Sequence, residues 1–184
     1  GKTLTSYKVA HYLTQIPSVK KVVFIVDRRD LDNQTTDSFK AYAQYDTIDV
    51  DETDNTKDLV KKLQSDKGDV LVTTIQKLQN VMRRNPAGSP HYGKLHDMRP
   101  IFIVDECHRA VSAMAQNQIN QYFTNPLWYG FTGTPIFSED AKESPGDLPK
   151  TTEEQYGECL NKYTIKEALH DGAVLGFQIG RAHV

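Results

Sequence analysis

The chain has 184 residues, room for one domain of ordinary size with one buried core. Its 22 Lys+Arg against 24 Asp+Glu give a formal net charge of −2, and 38% apolar with 25% charged residues exclude collagen-like, low-complexity and wholly disordered chains. No apolar run reaches the roughly 18–20 residues of a membrane span, no N-terminal stretch has a signal-peptide layout, and the two distant cysteines, Cys107 and Cys159, exclude a disulfide scaffold, so the expectation is no membrane and a reducing cytoplasm.

The first helical pattern covers residues 3–13 and is followed by a strand over 19–27. Val22-Val23-Phe24-Ile25-Val26 shows no alternation, which predicts a strand covered on both faces. A helix over 31–43 and a strand over 45–51 come next. In the helix predicted over 56–64, Leu59, Val60 and Leu63 form a one-sided apolar stripe, with Asn55 as N-cap and Gly68 as a stop beyond it. A strand over 69–74 leads into a helix over 76–83, and residues 83–99, with Asn85-Pro86-Ala87-Gly88-Ser89-Pro90, read as a surface loop. A strand over 100–105, again continuously apolar, precedes a helix over 108–123 and a strand over 127–132. Residues 138–157 are polar, with two prolines, and read as a long loop that is mobile or functional; a last helix covers 164–170. Strand and helix alternating over short connections predict an α/β domain, a parallel sheet with helices on both faces.

The chemistry concentrates at strand ends. Asp105-Glu106-Cys107-His108 follows the apolar run Ile101–Val104 and would present two carboxylates at the carboxyl edge of a parallel sheet, where α/β proteins bind ligands. In nucleotide hydrolysis the first carboxylate can hold Mg²⁺ and the second can orient the attacking water. The same residues also fit a capped strand-to-helix turn. Gly1-Lys2-Thr3 matches the last three positions of a phosphate-cradling loop, in which a lysine meets the β/γ-phosphates and a hydroxyl meets Mg²⁺ at a helix N-terminus. Thr132-Gly133-Thr134-Pro135 makes a sharp turn with two hydroxyls after the strand at 127. Taken singly, this tetrapeptide and the opening tripeptide are ordinary sequence.

Their order is not. The set resembles the first motor domain of superfamily 2 helicases and translocases: the end of Walker A, a DEAH-type Walker B, and motif III. Asp27-Arg28-Arg29-Asp30-Leu31-Asp32-Asn33-Gln34 looks like motif Ia, and Val72-Thr73-Thr74-Ile75-Gln76-Lys77-Leu78 like the next nucleic-acid motif. FIVDRRDLDNQ, VTTIQKLQ, IFIVDECHRA, GFTGTPIF and YGECLNKYTIKEALHDGAVL together resemble the motor (R) subunit of type I restriction enzymes.

That resemblance implies a three-layer RecA-like sheet, N-terminally truncated, and an ATP-dependent double-stranded DNA translocase that works with methyltransferase and specificity subunits. ATP and Mg²⁺ are the implied cofactors. Gly1, Lys2 and Thr3 would meet nucleotide, Thr3 and Asp105 the Mg²⁺, and Glu106 the hydrolytic water. His108 would reach toward Thr132 and Thr134, coupling nucleotide state to DNA grip. Arg28, Arg29, Gln34, Thr73, Thr74 and Gln76 would lie along the DNA, gripping sugar-phosphate without reading sequence; Arg28 and Arg29 fit a solvated loop or an ion pair equally well. With no global basic field, this local placement has to supply any grip. Cys107 reads as a small packed residue. On this basis residues 1–137 are most of the first motor domain, starting inside Walker A. Residues 138–157 are a polar loop, and 158–178 are the domain's end or a linker to a second motor domain. Residues 179–184, which match the translation of a common sequencing adapter, read as a non-native tail. The 184 residues alone, without the front of the phosphate loop, are expected to hydrolyse little ATP. Alternatives are another superfamily 2 motor, such as a type III restriction subunit or a repair helicase, and a non-catalytic α/β binding module.

Overall fold

A computed structural model describes residues 2–27, 34–44, 50–52, 55–65, 70–140 and 147–174. Among the described residues five strands, β1 (Val22–Val26), β2 (Val50–Glu52), β3 (Val70–Thr74), β4 (Ile101–Asp105) and β5 (Leu127–Phe131), form one sheet in the order β2-β3-β1-β4-β5. Every pairing is parallel; Val22 faces both Val70 and Ile101, and Asp105 pairs with Phe131.

Helices cover both faces, and the alternation of the strands decides which residue meets which. On one face α1 (Lys2–Thr14) sets Tyr7 and Ala10 against Val22, Phe24, Val26, Val70, Val72 and Ile103, with Tyr42 and Ala43 of α2 (Gln34–Ala43) beside them. The opposite face buries Val23, Ile25, Leu71, Phe102 and Val104 under α3 (Thr56–Leu63), α4 (Ile75–Arg84), α5 (Tyr92–His96), α6 (Cys107–Ala110) and α7 (Ala113–Tyr122). The continuous apolarity of β1 and β4 thus has its expected cause: all five residues of each are buried. In β5, by contrast, Leu127 is 56% exposed; among the described residues β5 pairs with β4 alone.

Local rules account for the helix ends. Asn55 caps α3 by accepting from the Lys57 and Asp58 amides, both at 3.0 Å. The expected stop at Gly68 lies outside the described residues; α3 ends at Leu63, with Gln64 as its C-cap. Three expectations need correction. The helix predicted over 108–123 is two helices, because Val111 and Ser112 are extended and the Ser112 hydroxyl takes the Ala115 amide as a new N-cap. Residues 83–99 are not all loop, since they include α5, whose Leu95 is fully buried. Residues 138–157 are not all loop either. They contain α8 (Thr152–Tyr156), held by a capping box between Thr151 and Glu154. A second capping box, Thr164 with Glu167, opens α9 (Ile165–His170). Among the described residues, no helix is long and apolar enough to cross a membrane.

Candidate functional site

The site is built at the carboxyl edge of the sheet, around the turn from β4 into α6. Asp105 is the last residue of β4 and 9% exposed; its Oδ1 accepts the Glu106 amide at 3.0 Å. Two positions after Ile103, it projects to the face that α1 covers. Helix α1 precedes β1 and packs along that face, so its C-terminus leads to the amino end of β1 and its first turn, with Thr3, lies toward the carboxyl edge. A hydroxyl at that helix start and a mostly buried carboxylate at the strand end are hard oxygen donors, the kind Mg²⁺ takes.

Glu106 adopts a left-handed backbone, φ 46° and ψ 48°, which is uncommon for a residue with a β-carbon. The turn lets the chain reverse directly from β4 into α6, whose last two amides, Arg109 and Ala110, donate to the Glu106 carbonyl at 2.9 and 3.0 Å. It leaves the Glu106 side chain 22% exposed, with Oε2 3.5 Å from His108 Nδ1.

His108 is the hub. Its Nδ1 lies 2.7 Å from the Thr132 hydroxyl and its Nε2 3.4 Å from the Thr134 hydroxyl. The Thr132 oxygen also accepts the Thr134 amide at 3.0 Å, which folds the Thr-Gly-Thr turn back onto itself. The three residues expected to form this contact, His108, Thr132 and Thr134, are therefore brought together. The neighbouring Arg109 donates from Nε to Asp27 Oδ2 at 2.8 Å, so α6 is tied to the end of β1 as well as to the end of β5.

The DNA-side expectations divide. Thr73 and Thr74 are 2% and 3% exposed, and Thr74 is the N-cap of α4, accepting from the Lys77 amide. Their hydroxyls are buried in the end of β3, which corrects the picture of both as surface contacts; Gln76 beside them is exposed. Gly1, Arg28 and Arg29 lie outside the described residues, as do the side chains of Lys2 and Gln34.

Reading the sequence missed the layer behind the site. The Tyr156 hydroxyl of α8 donates to the Cys107 carbonyl at 3.5 Å, and Gln155 Nε2 donates to the Val111 carbonyl at 2.9 Å. Burial, and then the nearby Cys107 thiol, push the Tyr156 phenol far above its usual range, so it stays a donor. Gly130 of β5 lies under both. A β-carbon there would sit 2.8 Å from the Cys107 sulfur and 2.9 Å from the Tyr156 ring. Thr151-x-x-Glu154 is a readable start signal for this helix; the glycine contact leaves no local trace in sequence.

Compared with known proteins, the chain matches the SWI2/SNF2 ATPase family over residues 1–181. It is 40% identical over 97% of its length to endonuclease subunits of type I restriction enzymes from Staphylococcus saprophyticus and from Staphylococcus aureus strain COL. It is 28% identical, over 95% of its length, to the corresponding subunit of a Haemophilus influenzae enzyme. The chain spans 18% of the length of the two staphylococcal relatives and 17% of the third. Among solved structures, the UvsW helicase of bacteriophage T4 superposes with a TM-score of 0.49 at 20% identity, over 73% of this chain and 43% of that one.

Proposed function

The chain belongs to the SWI2/SNF2 ATPase family, and from that premise we propose that it is the first motor domain of a type I restriction enzyme's endonuclease subunit, in which ATP hydrolysis drives movement along double-stranded DNA before cleavage. The observation that carries this reading is the contact between His108 and Thr132, which ties the turn bearing both carboxylates to the end of the next strand. A capped strand-to-helix turn in a binding module has no use for that tie; a motor that must pass a change at its nucleotide to its track does.

In this reading Gly1 and Lys2 would meet the nucleotide phosphates and Thr3 and Asp105 would hold Mg²⁺, which would supply positive charge beside the phosphates. Glu106 orients the attacking water and takes its proton. The strained backbone fixes where that carboxylate can point, and His108 at 3.5 Å restricts it further. Closing the site around nucleotide shifts the Glu106 turn, and His108 carries the shift to Thr132 and Thr134. Arg28, Arg29, Gln34 and Gln76 grip the DNA backbone, while Thr73 and Thr74 hold the strand end and the α4 start from which Gln76 projects. Residues 1–137 make up most of this domain, with α8 as its brace. The methyltransferase and specificity subunits of the same complex supply modification and site choice.

The test is ATP turnover by the full-length protein with and without double-stranded DNA. DNA-stimulated turnover that Glu106→Gln abolishes supports the reading; a protein whose hydrolysis ignores DNA, or survives Glu106→Gln, refutes it.

A further inference from the structure

Helix α6 is one turn long and has few restraints of its own. It starts from a left-handed residue, Glu106, and ends at the extended Val111. Buried Cys107 and Ala110 and the hydrogen bonds from α8 hold it in place, and its polar side chains add ties along the sheet. Cys107 and Ala110 face the core, leaving His108 and Arg109 as the two polar side chains of the helix. They reach in opposite directions along the sheet. In the order β1-β4-β5, α6 leaves β4; His108 holds Thr132, the residue after β5, and Arg109 holds Asp27, the residue after β1. The turn that carries Glu106 is thus braced to both neighbouring strands, at 2.7 Å on one side and 2.8 Å on the other.

The β1 side matters because of its neighbours in the chain. Asp27 is joined directly to Arg28 and Arg29, the two arginines assigned to the DNA grip. Its side chain is 15% exposed, while that of Arg109 is 41% exposed. A partly exposed pair of this kind adds little to folding stability, which argues against a purely structural purpose. Its geometry is specific: the guanidinium Nε donates to one carboxylate oxygen, so a displacement of Asp27 is passed to α6 in direction as well as in charge.

Resting on the motor reading, we infer that the Asp27–Arg109 ion pair is a positioning link that passes DNA engagement at the segment after β1 to the Glu106 turn. Neither residue touches nucleotide or water in this scheme. Their loss leaves the carboxylates of Asp105 and Glu106 in place and removes the path by which DNA improves their alignment. The pair is the input brace, as His108–Thr132 is the output brace, and one short helix joins them.

The experiment compares Asp27→Asn, Arg109→Gln, the double variant and Arg109→Lys in the full-length protein, measuring ATP turnover with and without duplex DNA. Asp27→Asn and Arg109→Gln are expected to lower the stimulation by DNA about 5- to 10-fold, the scale of a typical coupling between sites, while turnover without DNA and the KM for ATP stay at wild-type values. The double variant falls no further than either single one, because both remove the same link. Arg109→Lys, which keeps the charge and melts with the wild type, recovers part of the stimulation. Equal loss of basal and stimulated turnover in all variants, or full stimulation in Asp27→Asn, overturns the inference. A wild-type protein with no DNA stimulation overturns the motor reading and this inference with it, whereas a stimulated wild type with equally stimulated variants overturns this inference alone.

Discussion

His108 Nδ1 and the Thr132 hydroxyl lie 2.7 Å apart although 24 residues separate them in the chain. Two tautomers satisfy the arrangement. Either Nδ1–H donates to Thr132, whose oxygen also receives the Thr134 amide, or the Thr132 hydroxyl donates to Nδ1 and Nε2–H faces Thr134. The first also lets Nδ1–H be drawn toward Glu106 Oε2 at 3.5 Å. In that first tautomer a single proton on the imidazole lies between the Glu106 carboxylate and the turn after β5, which gives the contact more use than packing would.

In the proposed motor, removing that link is expected to separate nucleotide binding from movement. Thr132→Val keeps the volume and the β-branch and loses only the hydroxyl. In the full-length protein its DNA translocation rate is expected to drop by about tenfold or more while nucleotide binding stays unchanged, since the interaction serves a step after binding. A triplex-displacement assay for movement beside an equilibrium nucleotide titration checks this. Equal losses in both would make Thr132 part of the nucleotide site instead.

The left-handed conformation at Glu106 sets stability against activity. A non-glycine residue in this region costs roughly 1–2 kcal/mol, and glycine avoids that cost but loses about 0.5–1 kcal/mol of it again through its freer unfolded chain. Glu106→Gly is therefore expected to be as stable as wild type or up to about 1.5 kcal/mol more stable, and inactive. Glu106→Gln keeps the strain and is inactive without the gain in stability. Urea unfolding of the three proteins orders them; a Glu106→Gly protein clearly less stable than Glu106→Gln would show that the backbone there is not strained.

The strand ends are legible in the sequence because their signals are local. Unbroken apolarity at Val22–Val26 and Ile101–Val104 can only be satisfied under two helical layers, and a carboxylate pair directly after such a run has to fall at the carboxyl edge. The pairing of His108 with Thr132 comes from family resemblance, not from any periodicity. Harder to read is whatever depends on two distant segments meeting. The Arg109–Asp27 pair joins residues 82 positions apart by number, and either residue alone reads as a solvated charge. The break at Val111-Ser112 is hidden because helical spacing continues across it, and only the Ser112 cap reveals the new start. The resemblance sets Thr73 and Thr74 along the DNA, yet their place inside a strand of the sheet buries them.

Gly130 tests the layer behind the site. Its missing side chain leaves room for the Cys107 sulfur and the Tyr156 ring, and a methyl group there would press on both at under 3 Å. Gly130→Ala is expected to destabilise the domain by about 1–3 kcal/mol, the usual cost of overpacking, seen as a lower urea midpoint with an unchanged slope. Adding Cys107→Ala should restore part of this, because it removes the sulfur that the new carbon meets first. No rescue would mean that the Tyr156 ring alone sets the limit.

Alkaline pH reaches the other end of the same helical layer. The Tyr122 hydroxyl donates to the Asn85 carbonyl at 2.7 Å and ties the end of α7 to the end of α4. Burial, with Tyr92 beside it, pushes the Tyr122 phenol from about 10 up to about 12. The phenolate cannot donate, so the folded state holds the proton more tightly than the unfolded chain does. The resulting stability is fully present below pH 10, where both states are protonated, and is lost as pH rises from 10 through about 12. Unfolding midpoints measured between pH 9 and 12 should therefore decline over that window, and Tyr122→Phe, which has no proton to lose, should flatten the decline while starting from a lower midpoint. An identical alkaline slope in Tyr122→Phe would assign the loss to other groups, with the buried Tyr156 first among them.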